Sequence, residues 1–218
     1  MKIRWYGQSA FLVDGSTRIA IDPFAGISER MKEHGLAFDY PPIEGLEADL
    51  LLITHEHADH SAAELVGGSP KTIRSTAGTF NDIVAIASEH DDAAGTVRGP
   101  NTIFRFELDG VRLCHFGDFG QAALRPQQQE AIGEIDVLFL PVGGGPTVGG
   151  EGAAAIVRAL APRLVIPMHY RTPAVNFLDP PDAFLDALGA PVERLDDSAF
   201  EVGLGDGPKV VMPAAPGS

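Results

Sequence analysis

Cysteine is nearly missing from this sequence. Cys114 stands alone among 218 residues, so no internal disulfide can brace the fold, and a reducing, cytoplasmic setting is expected. Long hydrophobic runs are missing too. No stretch approaches the ~20 apolar residues that cross a bilayer, and residues 1–7 lack the apolar centre of a secretion signal. Positive charge is scarce: 16 Lys and Arg face 30 Asp and Glu, a formal charge of −14, with no local basic cluster. Gripping a long nucleic acid takes a basic stripe that displaces counterions. Nucleic acid and anionic membranes are therefore not expected as partners. A small anionic ligand stays open, because screening over ~8 Å lets one local cation act independently of a distant acidic surface.

What is present is ordinary globular material: 44% apolar and 21% charged residues, enough to build one buried core in a chain of this length. A single domain over residues 1–212 with a frayed tail at 213–218 is expected, and the oligomeric state is left open. Apolar and alternating runs predict strands at 2–6, 10–13, 18–21, 50–53, 83–87, 102–108, 111–115, 137–140 and 164–167. Two more are expected near 199–202 and 209–212, with helices at 127–132, 152–160 and 181–188. Asp14-Gly15 and Asp109-Gly110 read as hairpin turns. Residues 23–47 form a long connection of the kind that serves as a lid or binding loop. Meandering strands mixed with covering helices predict sheets packed between helical layers.

The sharpest chemical signal is Thr54-His55-Glu56-His57-Ala58-Asp59-His60, directly after the apolar run 50–53. Four metal-binding side chains within six residues, imidazoles and a carboxylate together, suit zinc, manganese or iron. In extended chain His55 and His57 project to one side, and a turn can bring Asp59 and His60 toward a second ion. The helical zinc signature H-E-x-x-H fails, because position 59 is Asp59. These four cannot complete two sites, so further ligands are sought downstream. His90, Asp118 and His169 each follow the end of a predicted strand, the usual place for a site on a sheet scaffold.

His55-x-His57-x-Asp59-His60, then His90, Asp118 and His169 in that order, resembles the metallo-β-lactamase superfamily. Arg98-Gly99-Pro100-Asn101, His115-Phe116-Gly117-Asp118, Pro141-Val142-Gly143-Gly144 and Pro167-Met168-His169-Tyr170 are similar to the branch containing L-ascorbate-6-phosphate lactonase and uncharacterised metal-dependent hydrolases. The resemblance implies an α/β fold, an αββα sandwich of two mixed sheets flanked by helices. It implies two divalent ions, zinc foremost with manganese or iron(II) as alternatives. His55, His57 and His90 would hold one, Asp59, His60 and His169 the other, with Asp118 bridging. Metal coordination lowers the pKa of water from about 15.7 toward about 7. The expected activity is hydrolysis of a small ester, lactone or phosphoester, with Asp59 and Asp118 as catalytic carboxylates.

Weaker signals surround this set. Asp22 resembles the family's early aspartate, which would support the ligand loop by holding a histidine's free ring nitrogen; a turn-forming Asp-Pro is the alternative. His115 either supports the site or is a satisfied buried histidine. Arg98, Tyr170 and Arg171 are the expected substrate contacts, and Gly143–Gly150 could cradle an anion at a helix start. Three other functions compete: a phosphodiesterase or nuclease of the same superfamily, a di-iron redox domain, and a non-catalytic metal-binding module. The acidic charge opposes the nuclease, His57 opposes the redox domain, and the complete ligand set opposes the module.

Overall fold

The computed structural model describes residues 1–27, 29–74 and 77–217. The chain opens with strands β1 (Lys2–Gly7), β2 (Ala10–Asp14) and β3 (Arg18–Ile21) and a short helix α1 (Glu29–Glu33). Then come β4 (Leu50–Ile53), β5 (Lys71–Arg74), β6 (Gly78–Phe80), β7 (Ile83–Glu89), β8 (Pro100–Leu108) and β9 (Val111–His115). The second half alternates α2 (Pro126–Ile132), β10 (Val137–Pro141), α3 (Gly150–Leu160), β11 (Leu164–Met168) and α4 (Asp182–Leu188). It closes on β12 (Val192–Arg194), β13 (Ala199–Glu201) and β14 (Lys209–Met212).

Two mixed sheets result. One runs β13-β1-β2-β3-β4-β5 and the other β12-β14-β11-β10-β9-β8-β7-β6. Alternation along each strand decides which face meets which layer. In β3 and β4, Ile19, Ile21 and Leu52 face the second sheet, while Ala20, Leu51 and Ile53 face outward. Across the sandwich the rings of Phe11 and Phe139 stand 4.7 Å apart. The hairpin between β8 and β9 turns on Asp109 (φ 52°) and Gly110 (φ 76°), both left-handed as a type I′ turn requires.

Helices α3 and α4 pack on one another. The outer face of the first sheet is covered differently: Phe24, Tyr40, Ile43 and Leu46, from the segment between β3 and β4, lie on it with Val175 and Leu178. That layer is mostly irregular chain, with the 3-10 turn Ala63–Leu65 packed against it. Strands β5, β6 and β12 go beyond the sequence expectation; they are three or four residues long and largely exposed, so they carry no apolar period. Of the stretch expected to fray, Pro213 is buried and the Ala214 N–H donates to the Asp197 carbonyl at 3.2 Å; Ser218 lies outside the described residues. Among the described residues, no helix is long and apolar enough to cross a membrane.

Strand direction positions the site. β3 and β4 are parallel, as are β9, β10 and β11. β7 points the same way as β9, being two antiparallel steps from it. The loops leaving β3, β4, β7, β9 and β11 therefore carry Asp22, residues 55–60, His90, Asp118 and His169 from like-directed strand ends.

Candidate metal centre

Asp22 organises the first loop. It follows β3 with φ 46°, a left-handed conformation that aspartate tolerates better than most residues, and it is fully buried. Its Oδ1 accepts the Thr54 N–H at 2.8 Å; its Oδ2 accepts the Thr54 hydroxyl at 2.7 Å and the His60 Nδ1–H at 3.0 Å. A carboxylate only accepts, so these contacts dictate where protons sit. Thr54 Oγ1 has given its proton to Asp22 and can only accept from His55 Nδ1–H, 3.0 Å away. His90 commits its Nδ1–H to the Pro146 carbonyl at 3.0 Å. In His55, His60 and His90 alike, the neutral ring is left with its lone pair on Nε2.

Those lone pairs converge on a carboxylate. Asp118 Oδ2 lies 3.2 Å from His60 Nε2, 3.1 Å from His90 Nε2, 3.2 Å from His169 Nε2 and 3.9 Å from His55 Nε2. His60 Nε2 is also 3.7 Å from Asp59, yet it is buried without a hydrogen bond, as is His169 Nδ1. His55 Nε2 meets His57 Nδ1 at 3.1 Å. Lone pairs crowded on an anionic oxygen repel unless positive charge lies among them. The donors fall into two groups, His55 with His57 and His90, and Asp59 with His60 and His169, each with ligand atoms within 4.8 Å of one another. Asp22, His55 and His60 also meet that spacing, but Asp22 already holds three donors. The residues present fit divalent transition ions.

The electrostatics agree. Burial, then His60, pushes His55 far below the usual imidazole range. Burial also lowers His60, but Asp118 and then Asp59 outweigh it and hold that ring well above its ordinary value. Burial alone would raise Asp118, yet His169 and His60 keep it well below the carboxylate range. The protein's own field thus calls for positive charge beside Asp118, which a metal ion supplies in exchange for a proton.

Sequence reasoning missed several supports. The Ser9 hydroxyl donates to Asp118 Oδ1 at 3.3 Å. Asn101 accepts the Asp118 N–H at 3.0 Å and donates to the Phe116 carbonyl and Ser88 Oγ. Only glycine fits at 117: a Cβ there would stand 2.4 Å from Asn101 Oδ1 and 2.7 Å from Thr54. The side-chain amide of Gln8 is buried without a partner, and the Gln8 backbone carbonyl accepts the His169 N–H at 3.4 Å. Amides and hydroxyls are too common in loops to signal such roles.

Other expectations resolve individually. His115 is satisfied on both nitrogens, Nε2–H to the Ser9 carbonyl at 3.0 Å and Nδ1 from the Gly117 N–H at 3.1 Å, and burial brings it down to about 4. It braces the Ser9 and Gly117 turns and faces neither donor group. Glu56 is turned away to an ion pair with Arg74 at 2.6 Å. A cavity of about 660 Å³ opens over His57, Asp59, His90, Asp118 and His169, with Arg98 on its border. Tyr170 and Arg171 depart from the expectation of substrate contact: both line a different cavity. His169 has φ 50°, and after that turn the Tyr170 ring packs on Trp5 at 5.6 Å while Arg171 Nε donates to the Leu178 carbonyl at 2.6 Å.

Known proteins are similar to this chain in sequence and fold. The family described as beta-lactamase superfamily domain matches residues 2–169. A metal-dependent hydrolase of Thermococcus kodakarensis is 36% identical, over 79% of this chain and 85% of its own. One from Thermococcus onnurineus is also 36% identical, with the same coverage. A solved structure from Thermotoga maritima, a candidate zinc-dependent hydrolase of the metallo-β-lactamase superfamily, is 32% identical over 97% of both chains, with a TM-score of 0.77. Two mixed sheets, the converging donors and these similarities lead to one conclusion: the chain belongs to the metallo-β-lactamase superfamily.

Proposed function

We propose that this metal-dependent hydrolase holds two divalent ions, zinc foremost, and cleaves a small ester, lactone or phosphoester with water. His55, His57 and His90 hold one ion, Asp59, His60 and His169 the other, and Asp118 reaches both groups. One observation carries the reading: His60 and His90, their Nδ1 protons committed elsewhere, aim Nε2 at the same Asp118 oxygen from 3.2 and 3.1 Å.

Bound there, divalent ions supply Lewis acidity, lowering the pKa of water toward about 7 and polarising a carbonyl or phosphoryl oxygen. The chain's residues do the rest. Five neutral imidazoles cancel none of the ions' charge and two carboxylates cancel half, so positive charge remains where an oxyanion forms. Asp118 is 3% exposed and holds the floor; Asp59 is 20% exposed, reaches the cavity, and accepts the proton of the attacking water. Asp22 keeps His55 and His60 in the ligating tautomer.

The test is metal analysis, then a screen of esters, lactones, thioesters, phosphomonoesters and phosphodiesters with zinc, manganese and iron(II) reconstituted separately. Two ions per chain and turnover of a small ester, lactone or phosphomonoester support the reading. Fewer than two ions at saturation, or turnover confined to nucleic-acid phosphodiesters, overturns it.

A further inference from the structure

The cavity over the donor groups has a polar floor and an apolar wall. Ile27, Met31 and Leu36, from the segment between β3 and β4, form that wall with Phe177 from the loop between β11 and α4. The two segments are fastened together. Phe38 and Val175 pair as an antiparallel bridge, and the Asp39 N–H donates to the Ala174 carbonyl at 2.8 Å. Asn176 accepts the Ala37 N–H at 2.9 Å and donates to the Gly35 carbonyl at 3.1 Å. Phe38 stands edge-on to Phe24 at 4.9 Å. The wall is thus a surface held from both sides, and the cavity's volume of about 660 Å³ lies within the span of roughly 300–1,000 Å³ usual for small-molecule sites.

Ile27 is buried in this wall, while Met31, Leu36 and Phe177 are half-buried. Water and the donor groups need no hydrocarbon opposite them, and the apolar area left beside a polar floor is unfavourable unless an apolar group covers it. Polarity is supplied at one border. Arg98, with Gly145 and Pro146, also lines an adjoining cavity of about 400 Å³. Among the described residues, no carboxylate lies within ion-pair distance of its guanidinium. An apolar group on the wall, a scissile bond over the floor and a polar end toward Arg98 would use all three surfaces.

We propose, resting on the hydrolase reading above, that the substrate is an ester or lactone of an apolar medium-chain acid, its acyl chain lying on Ile27, Met31, Leu36 and Phe177. Area burial is worth about 0.8 kcal/mol per methylene, which converts to roughly fourfold in affinity for each CH2 added until the wall is covered.

The experiment is calorimetric binding of butyrate, hexanoate, octanoate and decanoate to the zinc-loaded protein, beside turnover of their phenyl esters by the same preparation. Expected is a rise of roughly fourfold per methylene in both affinity and kcat/KM. In Phe177→Ala and Leu36→Ala the gain per methylene shrinks while zinc content is unchanged. Affinity independent of chain length in the unaltered protein overturns the inference. The two readings fail separately: chain-length-dependent binding without turnover of any ester, lactone or phosphomonoester sinks the hydrolytic reading and supports the apolar site. Turnover without chain-length dependence does the reverse.

Discussion

Replacing Asp22 by asparagine changes one atom and should disable ligands in both donor groups. Asp22 accepts three hydrogen bonds, one on Oδ1 and two on Oδ2, whereas an amide accepts on one side only. With the amide oxygen toward Thr54 N–H, the NH2 faces the Thr54 hydroxyl and His60 Nδ1. Thr54 then turns its proton toward His55, and both histidines adopt the tautomer with hydrogen on Nε2, where a metal needs a lone pair. With the amide reversed, both lone pairs are restored but the buried Thr54 N–H meets a donor, at a cost of about 1–3 kcal/mol. Metal binding must force that second arrangement, so affinity should fall by roughly ten- to a hundredfold. Competition against a chromogenic chelator measures this, with thermal unfolding of the metal-free protein as the folding control. Thr54→Val, which cuts only the His55 branch, should weaken the His55 group alone. Wild-type affinity at both sites in Asp22→Asn would refute the tautomer argument.

Three further outcomes are expected. Gly143→Ala places a Cβ 2.2 Å from the His169 carbonyl oxygen, which should cost about 1–3 kcal/mol and lower zinc affinity with it; an unchanged melting temperature would show that the β10 and β11 ends give way freely. Asp136 is held down to about 2, chiefly by its hydrogen bond from Arg112; a folded pKa below the unfolded value of about 3.9 gives stability that is present above that value and lost as pH falls toward about 2. Unfolding free energies of Asp136→Asn from denaturant titration should therefore lie below wild type by about 1–2 kcal/mol at neutral pH and converge on acidification, and a constant gap would contradict this. Arg98→Gln should raise KM roughly tenfold for esters bearing a second, free carboxylate and leave neutral esters unchanged; equal loss on both classes would remove Arg98 from substrate recognition.

The donor set could be read in the sequence because histidine and aspartate massed behind buried apolar strands are costly to desolvate unless an ion holds them. Leu50–Ile53 is buried on both faces and so stands out as a continuous apolar run, with His55, His57, Asp59 and His60 directly behind. The short exposed strands β5, β6 and β12 are illegible, since nothing buried imposes a period on them. Arg171 misleads for a different reason. Adjacency to His169 in sequence does not survive a left-handed turn at that residue, which sends the following side chains into another part of the molecule. Ser9, Asn101 and the wall of Ile27, Met31, Leu36 and Phe177 come together only through contacts distant in sequence. Asn101 stands in a family motif that gives it no role, and no local pattern marks the others.

Anomalous diffraction from crystals grown with zinc would locate the ions themselves. Two peaks should appear, one among His55, His57 and His90 and one among Asp59, His60 and His169, with Asp118 between them. A single peak, or zinc bound elsewhere with these side chains empty, would contradict the two-ion centre and the hydrolysis built on it.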